Sequence, residues 1–286
     1  MRLRSLLFAP AVRPDLISKL GRPGADGVVI DCEDATPAHL KADGRANART
    51  LGGELAASGV SVFVRVNGVG TSWFDDDIAH AIPEGARGIV VPMVERPTQL
   101  GHLAAALEQA GRRDLDVVAG LETASGVADA RSLLSHPVVT AGYFGAEDFI
   151  ADMGGVRTRS NNEVLHARSE VALAGRLASV PVLDQVVVEF RDAERFTHEA
   201  AEARALGYAG KLCIHPGQVA LAHAAFTPTP EEAAAARALI AQYEAAERDG
   251  SGVIVVEGRM IDGPLVVQAR RVVASAGADG APEAGG

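Results

Sequence analysis

Short apolar runs recur along the chain at intervals of about 30 residues, the spacing expected of the βα units of a barrel. Eight runs rich in Val, Ile, Leu and Ala occupy residues 4–11, 26–34, 60–68, 87–95, 115–123, 138–148, 180–186 and 210–217. They are nearly continuous rather than alternating in polarity, which is typical of strands buried on both faces of a parallel sheet. The pattern therefore predicts eight parallel β-strands.

Ala-, Leu- and Arg-rich stretches with helical spacing separate these runs. Thr36 and Pro37 precede one such stretch and Pro97 precedes another, and proline is favoured in the first turn of a helix. The alternation of strands and helices predicts an α/β protein built as a (β/α)8 TIM barrel. We assign residues 1–250 to the barrel, with a helix over 230–250 that closes its wall.

The chain beyond the eighth unit departs from the barrel pattern. Residues 252–264 predict a short hairpin or extended arm, and residues 265–276 predict a further helix. We interpret residues 251–276 as an arm and helix for subunit contacts. Residues 277–286 are poor in apolar side chains and are expected to form a disordered tail.

Composition narrows the class of protein. With 27 Lys and Arg residues against 37 Asp and Glu residues, the formal net charge is −10, which argues against nucleic-acid binding or a basic membrane-binding face. No apolar run reaches the roughly 20 residues of a membrane-spanning helix. Cys32 and Cys213 lie within apolar runs, so we expect reduced, buried thiols and a cytoplasmic location.

Two acidic residues follow neighbouring strands of the predicted barrel. Glu122 ends the fifth apolar run and Asp148 ends the sixth, and the carboxyl ends of barrel strands form the mouth where active sites lie. Two hard oxygen ligands suit Mg²⁺ or Mn²⁺. The alternative, that both acids only stabilise the starts of the following helices, stays open at this point.

Arg65 and His215 also end apolar runs and are candidates for the same mouth. The guanidinium of Arg65 can hold a substrate carboxylate in a bidentate contact, or form an ion pair with Glu33 or Asp34. We expect at least one acid of the DCED segment to orient Arg65 or metal-bound water. His215 fits a general base, a ligand contact or a helix-capping residue, and spacing does not separate these roles.

The scarcity of lysine argues against imine chemistry. A Schiff-base aldolase needs a lysine in the barrel mouth, but the chain has only Lys19, Lys41 and Lys211. Lys211 begins the eighth strand at the closed end, and the other two fall in predicted helices. Metal-assisted chemistry is favoured by this elimination.

Eight motifs between about residues 3 and 275 occur in the order of a known family. They are RSLLFAPAVRPDLISKL, VVIDCEDA, FVRVNG, VVPMVE, GLETASGV, FGAEDFIADMGG, CIHPGQV and VEGRMIDGP. Together they resemble the citrate lyase beta-subunit-like branch of the HpcH/HpaI aldolase superfamily. The resemblance implies a (β/α)8 barrel, a homotrimer or hexamer, and Mg²⁺-dependent making or breaking of a carbon–carbon bond, typically on an acyl-CoA thioester.

The resemblance also implies roles for individual residues. Glu122 and Asp148 become the metal ligands, and Arg65 binds the substrate carboxylate and the oxo or alkoxide oxygen. Asp262 corresponds to a catalytic acid that in relatives reaches the mouth of a neighbouring barrel. Glu147 is assigned, with Glu33 and Asp34, to a supporting position rather than to the metal. The implied contacts for coenzyme A are Phe8, Arg13, Lys19, Ile214 and His215.

We therefore expect a Mg²⁺-dependent lyase that acts on a carboxylated 3-hydroxyacyl-CoA, such as citryl-, malyl- or citramalyl-CoA. The enzyme would cleave this thioester into a 2-oxoacid and an acyl-CoA, or form it from them. Malyl-CoA thioesterase or malate synthase chemistry at the same site remains open, as do an aldolase of free 2-oxoacids and a noncatalytic subunit with an acyl-carrier partner. Met93 stands where most relatives have lysine in a V-P-K-[VI]-E motif, which leaves the exact activity open.

Overall fold

A closed barrel of eight parallel strands in sequential order forms the first part of the chain. The computed structural model describes residues 2–277. The predicted (β/α)8 architecture is confirmed, and each apolar run contains one strand. The strands are β1 (Ser5–Pro10), β2 (Gly27–Asp31), β3 (Val62–Arg65), β4 (Gly88–Val91), β5 (Asp116–Leu121), β6 (Ala141–Phe144), β7 (Val182–Asp184) and β8 (Gly210–Cys213).

Helices follow the strands around the barrel. Those between β1 and β5 are α1 (Pro14–Ile17), α2 (Lys41–Ala57), α3 (Phe74–His80) and α4 (Pro97–Gln109). Those from β5 onward are α5 (Ala124–Ala128), α6 (Ala130–Leu134), α7 (Ala146–Met153), α8 (Leu165–Ala178), α9 (Ala193–Leu206) and α10 (Pro216–Phe226). Pro97 is the first residue of α4, as predicted, whereas the stretch after Pro37 starts with a 3-10 turn at Ala38–Leu40 before α2 begins.

The barrel interior is packed with side chains from all eight strands. Alternate residues of the strands point inward and join one apolar cluster, which includes Leu6, Val29, Phe63, Val90, Val118, Tyr143, Leu183 and Leu212. The side chains between them point outward toward the helices. Cys32 and Cys213 are both free and buried, as predicted from their apolar surroundings.

The predicted strands extended too far at their carboxyl ends. The sixth run was expected to be a strand to Asp148, but β6 pairs with β5 only as far as Phe144 and Leu121. The amide of Gly145 still donates to the carbonyl of Leu121, and α7 begins at Ala146. Asp148 therefore lies in the first turn of α7, at the same end of the barrel but not on a strand.

Residues 224–277 belong to a second compact unit, because the contacts of the chain divide between His223 and Ala224, within α10. It contains α11 (Pro230–Arg248), β9 (Ile254–Val256), β10 (Arg259–Ile261) and α12 (Gly263–Gly277). The division comes before the residue-250 boundary expected from sequence, and the domain assignment stays a prediction. The expected tail at 277–286 lies outside the described residues, except for Gly277, which ends α12.

The hairpin predicted over residues 252–264 is confirmed. β9 and β10 pair antiparallel through a two-residue turn in which Glu257 and Gly258 have φ values of 48° and 76°. Two residues with positive φ are typical of the tight turns that match strand twist. Ile261 and Val266 pack with Tyr243 of α11 in a small apolar core. None of the described helices is long and apolar enough to span a membrane.

Candidate active site

A cavity of about 530 Å³ opens at the carboxyl ends of the barrel strands. Residues from seven of the eight strand ends or their following loops surround it, as expected for the mouth of a parallel barrel. Seven of the predicted site residues line this cavity: Phe8, Asp34, Arg65, Glu122, Glu147, Asp148 and Ile214. The sequence therefore identified every charged residue of the cavity wall except Asp31, and the functional roles of these residues remain proposals.

Arg65 is the positive centre of this cavity. Its Nε and Nη2 atoms donate to the two carboxylate oxygens of Asp31 at 2.7 and 2.6 Å, and its Nη1 lies 2.8 Å from Oε2 of Glu33. Asp34 is farther away, at 4.0 Å. Burial alone would lower the pKa of Arg65, but Asp31 holds this pKa well above its ordinary value.

The expected ion pair of Arg65 exists, but its main partner is Asp31 rather than Glu33 or Asp34. Asp31 is the last residue of β2 and pairs in register with Arg65, the last residue of β3. Because neighbouring strand ends lie side by side, the two side chains meet in a bidentate contact. The sequence showed that the DCED segment could supply an acidic partner for Arg65. The register of β2 and β3 shows that this partner is Asp31.

Glu122 is 3% exposed and follows β5 directly. Its Oε1 accepts the phenolic O–H of Tyr143 at 2.6 Å and the backbone N–H of Met93 at 3.0 Å. Thr123, not Glu122, caps α5, because the Thr123 hydroxyl accepts the amide of Gly126. The helix-capping alternative for Glu122 is therefore wrong, and its carboxylate is held inside the cavity.

The carboxylates of this cavity are difficult to ionise together. Burial, together with the charge of Asp148, raises the pKa of Glu122 to about 7, although the hydrogen bond from Tyr143 and the charge of Arg65 lower it. Burial also raises the pKa of Glu33 to about 8, with Asp34 and Glu122 adding to the effect. The pKa of Asp148 is raised by burial and then by Asp34.

The carboxylates of Asp31, Glu33 and Asp34 thus lie within 4.0 Å of the Arg65 guanidinium, and those of Glu122 and Asp148 line the same cavity. Oε2 of Glu33 is buried and has no hydrogen-bond partner within the described residues. This excess of negative charge fits a divalent cation. Within residues 2–277 no group of three or more His, Cys, Asp or Glu is placed to hold a metal ion together. Mg²⁺ is commonly held in proteins by one or two carboxylates plus water and substrate.

The remaining predicted residues lie elsewhere. Arg13 is exposed and bonded to Asp15 at 2.8 and 2.7 Å, and Lys19 is exposed in a turn after α1 rather than in a helix. Nδ1 of His215 accepts the amide of Gly217 at 3.1 Å at the start of α10, a capping contact, and its ring stacks on Phe190. Asp262 lies in the second unit, just before α12.

Glu147 and Asp184 both form ion pairs with basic side chains. Glu147 forms an ion pair with Arg157 at 3.0 Å, in the first turn of α7. Asp184 ends β7 but points away from the cavity, because the inward position is taken by Leu183. Its carboxylate is buried against Arg168 and Lys211 instead.

Tyr143 is the site residue that sequence reasoning missed. It lies on β6 with its side chain in the barrel interior and lines the cavity. Burial, followed by the charge of Glu122, raises its pKa well above the ordinary value. An available signal was the run AGYFG, where a large polar-tipped side chain stands among small residues one strand away from Glu122.

Comparisons with known proteins agree with this geometry. Residues 4–216 match the model of the HpcH/HpaI aldolase/citrate lyase family. The chain is 47% identical to a citrate lyase subunit beta-like protein of Deinococcus radiodurans, over 95% of this chain and 96% of that one. It is 33% identical to a (3S)-malyl-CoA thioesterase of Cereibacter sphaeroides, over 96% and 94% of the two chains.

A solved structure is similar over nearly the whole chain. It is the protein CitE of Mycobacterium tuberculosis in complex with magnesium, acetoacetate and coenzyme A. The TM-score is 0.80 at 29% identity, covering 96% of this chain and 98% of that one. The barrel, the acidic cavity and these matches together establish that the chain belongs to the HpcH/HpaI aldolase/citrate lyase family.

Proposed function

We propose that this protein is a Mg²⁺-dependent carbon–carbon lyase that cleaves, or in reverse forms, a carboxylated 3-hydroxyacyl-CoA such as citryl-, malyl- or citramalyl-CoA. The observation that carries the proposal is the convergence of Glu122, Asp148 and Arg65 on one cavity with a large excess of carboxylates. The similarity to CitE, whose structure contains magnesium and coenzyme A, supports the choice of metal and carrier.

Glu122 and Asp148 would hold the cation. Both carboxylates line the cavity, and burial raises the pKa of each although Arg65 opposes the shift. Mn²⁺ suits the same oxygen ligands. When bound, the divalent cation supplies Lewis-acid stabilisation of the negative charge that develops on the substrate hydroxyl oxygen.

Arg65 orients the substrate and stabilises charge. Asp31 occupies the Nε and Nη2 edge of the guanidinium, which fixes its plane and leaves Nη protons for a substrate carboxylate or alkoxide. Phe8, Val186 and Ile214 supply an apolar wall to the same cavity, and exclusion of water from this wall strengthens the contact between Arg65 and the alkoxide.

Cleavage breaks the bond between the hydroxyl-bearing carbon and the α-carbon of the thioester. The hydroxyl proton passes to solvent, and the alkoxide oxygen becomes the carbonyl oxygen of the 2-oxoacid as the carbon–carbon bond breaks. The electron pair of that bond passes to the thioester enolate. We propose that Asp262 of a neighbouring subunit protonates the enolate carbon, which yields the acyl-CoA product.

The role proposed for Asp262 requires an oligomer in which the second unit of one subunit places Asp262 at the active site of another subunit. The hairpin and final helix of the second unit carry exposed apolar side chains, with Val255 and Met260 at 73% and 63% exposure, which fits a subunit contact in the proposed homotrimer.

Mixing Asp262→Ala subunits with Arg65→Ala subunits tests whether the active site is shared between subunits. Activity that reappears on mixing supports sharing of the site between subunits, whereas two inactive variants that stay inactive after subunit exchange contradict it.

Coenzyme A contacts are proposed for Phe8, Arg13, Lys19, Ile214 and His215. Phe8 and Ile214 line the cavity, and the exposed cations Arg13 and Lys19 follow β1, at the same end of the barrel. Phosphate groups of the carrier would gain from these charges. Arg13→Glu together with Lys19→Glu is expected to raise KM for the thioester with little change in kcat, and an unchanged KM would remove both residues from the carrier site.

Thioester hydrolysis is the second candidate, because the chain is similar to a (3S)-malyl-CoA thioesterase over nearly its full length. Identification of the products from malyl-CoA separates the two reactions. Glyoxylate with acetyl-CoA shows a lyase, and malate with free CoA shows a thioesterase. Turnover of free 2-oxoacids without CoA would identify an aldolase, and inertness toward the whole thioester panel would favour a noncatalytic subunit or an acyl-carrier partner.

A further inference from the structure

The carboxylate of Glu122 is held by only one of its two oxygens. Oε1 accepts the O–H of Tyr143 at 2.6 Å and the N–H of Met93 at 3.0 Å. Within the part of the chain that the structure describes, Oε2 accepts no hydrogen bond. Since Glu122 and Tyr143 are both buried, the two donors fix a single orientation of the carboxylate plane.

Two glycines leave the space that this orientation needs. A Cβ atom at Gly145 would overlap Oε2 of Glu122, and a Cβ atom at Gly120 would lie 2.5 Å from the Tyr143 oxygen and 2.7 Å from Oε1 of Glu122. Gly145 has φ −103°, a value that any residue adopts. Its small size, rather than its backbone freedom, is therefore what the site requires.

Met93 adopts a costly backbone conformation to reach Glu122. Its φ is 53°, in the left-handed region that non-glycine residues rarely enter. The amide of Val94 donates to the carbonyl of Gly120, and the side chain of Gln99 accepts the amides of Glu95 and Arg96. Such strain persists where surrounding contacts enforce it, and it concentrates at functional sites.

We propose that Tyr143 and the backbone amide of Met93 are positioning groups that hold Oε1 of Glu122 and leave Oε2 as the oxygen that binds the divalent cation. The proposal rests on the metal role of Glu122 given under the proposed function. Both donors occupy the lone pairs of Oε1 and prevent rotation of the carboxylate. Contacts of this kind around a metal ligand commonly contribute 10- to 100-fold to metal affinity.

The test is a titration of the full-length protein with Mn²⁺ in the presence of pyruvate, followed by the electron paramagnetic resonance signal of free Mn²⁺. Tyr143→Phe keeps the ring in the barrel interior and removes only the donor. We expect its Kd for Mn²⁺ to rise roughly 10- to 100-fold. A Kd within twofold of the unchanged protein would overturn the proposal.

Tyr208→Phe is the matched control. Tyr208 is also buried and donates its O–H to the carbonyl of Arg168 at 2.9 Å, so this variant loses the same group away from Glu122. We expect its Mn²⁺ affinity to be unchanged, and an equal loss in both variants would show a general structural effect and contradict the positioning role.

Two more variants complete the experiment. Glu122→Ala should lose the site, so Mn²⁺ affinity that survives in Glu122→Ala would refute the metal assignment itself rather than the positioning role. Gly145→Ala keeps both donors but crowds Oε2, and its Mn²⁺ affinity should fall. If Tyr143→Phe does not fold, the Mn²⁺ affinity of Gly145→Ala tests the proposal instead. An unchanged Mn²⁺ affinity in Gly145→Ala would overturn it.

Discussion

Nη1 of Arg65 lies 2.8 Å from Oε2 of Glu33, yet this buried oxygen accepts no hydrogen bond within the described residues. The two groups lie close together without the alignment of a hydrogen bond. Burial raises the pKa of Glu33 to about 8, and the negative charges of Asp34, Glu122 and Asp31 contribute to this shift. The positive charge of Arg65 opposes it. Arg65 alone does not neutralise this cluster.

Glu33 should make the metal-free protein less stable as the pH rises. In the folded protein Glu33 keeps its proton up to a pKa of about 8, whereas the unfolded chain releases it near 4.5. The folded state then binds more protons, so the free energy of unfolding falls between these pH values, by at most about 1.4 kcal/mol per pH unit from this group. Glu33→Gln should flatten that dependence in urea unfolding with EDTA present. An identical pH profile in both proteins would contradict the raised pKa.

Asp148→Asn should strongly reduce lyase activity. The substitution keeps the size of the side chain in the first turn of α7 but removes its charge, so the expected loss of kcat is on the order of 100-fold or more. Asp152→Asn is the control, because Asp152 lies one turn later on the same helix and only accepts the amide of Ala124. Similar rates in Asp148→Asn and the unchanged protein would remove Asp148 from the metal.

Arg65→Lys should reduce kcat/KM by roughly 10²- to 10³-fold. Lysine keeps the positive charge but cannot make the bidentate contact with Asp31 or present the same planar donors to substrate. Arg87→Lys, in an ion pair with Asp116 at the opposite end of the strands, provides the comparison. If both variants retain full kcat/KM, the planar guanidinium of Arg65 has no role in turnover.

Met93→Gly should raise the melting temperature. Glycine adopts the left-handed conformation at φ 53° without the steric cost that Met93 bears, an expected gain of about 1 kcal/mol. Met93→Ala keeps the steric cost and should give no such gain. Differential scanning calorimetry of the three proteins checks this, and a lower melting temperature for the glycine variant would show that the methionine side chain contributes more than its backbone costs.

Asp184→Asn should destabilise the barrel wall. Asp184 is fully buried and neutralises Lys211 at 2.6 Å and Arg168 at 3.0 Å, so its loss leaves two buried cations with less compensation. We expect a loss of about 3–5 kcal/mol in the free energy of unfolding. Glu244→Gln, which breaks the exposed pair with Arg270, should cost less than about 1 kcal/mol. Equal effects of the two substitutions would contradict this ranking.

The barrel was predictable because each strand lies in a nearly continuous apolar run, as expected when a parallel barrel buries both faces of every strand. Glu122 was predictable for the same reason, since a carboxylate directly after such a run points into the barrel mouth. The end of β6 was not predictable, because the ladder stops where its partner β5 stops, and this depends on register.

Contacts between residues that are far apart in the sequence were also not predictable. Nothing local in the sequence shows that Asp31 rather than Glu33 pairs with Arg65, because the choice follows from the alignment of β2 with β3. Asp184 ends β7, but the inward-pointing position of that strand is occupied by Leu183, a fact that follows from the fold. Tyr143 was missed because a tyrosine within a strand is expected to be part of the hydrophobic core. Its hydrogen bond to Glu122 joins β6 to the end of β5, which the sequence around Tyr143 does not show.

The most direct test of the central claim is the rate of 2-oxoacid formation from malyl-CoA and citramalyl-CoA by the purified protein as free Mg²⁺ is varied. The carboxylate cavity around Arg65 predicts that glyoxylate or pyruvate appears with acetyl-CoA, that the rate saturates with Mg²⁺, and that EDTA abolishes it. Formation of 2-oxoacid at the same rate in EDTA, or none from either thioester or from citryl-CoA at saturating Mg²⁺, would contradict a Mg²⁺-dependent carbon–carbon lyase.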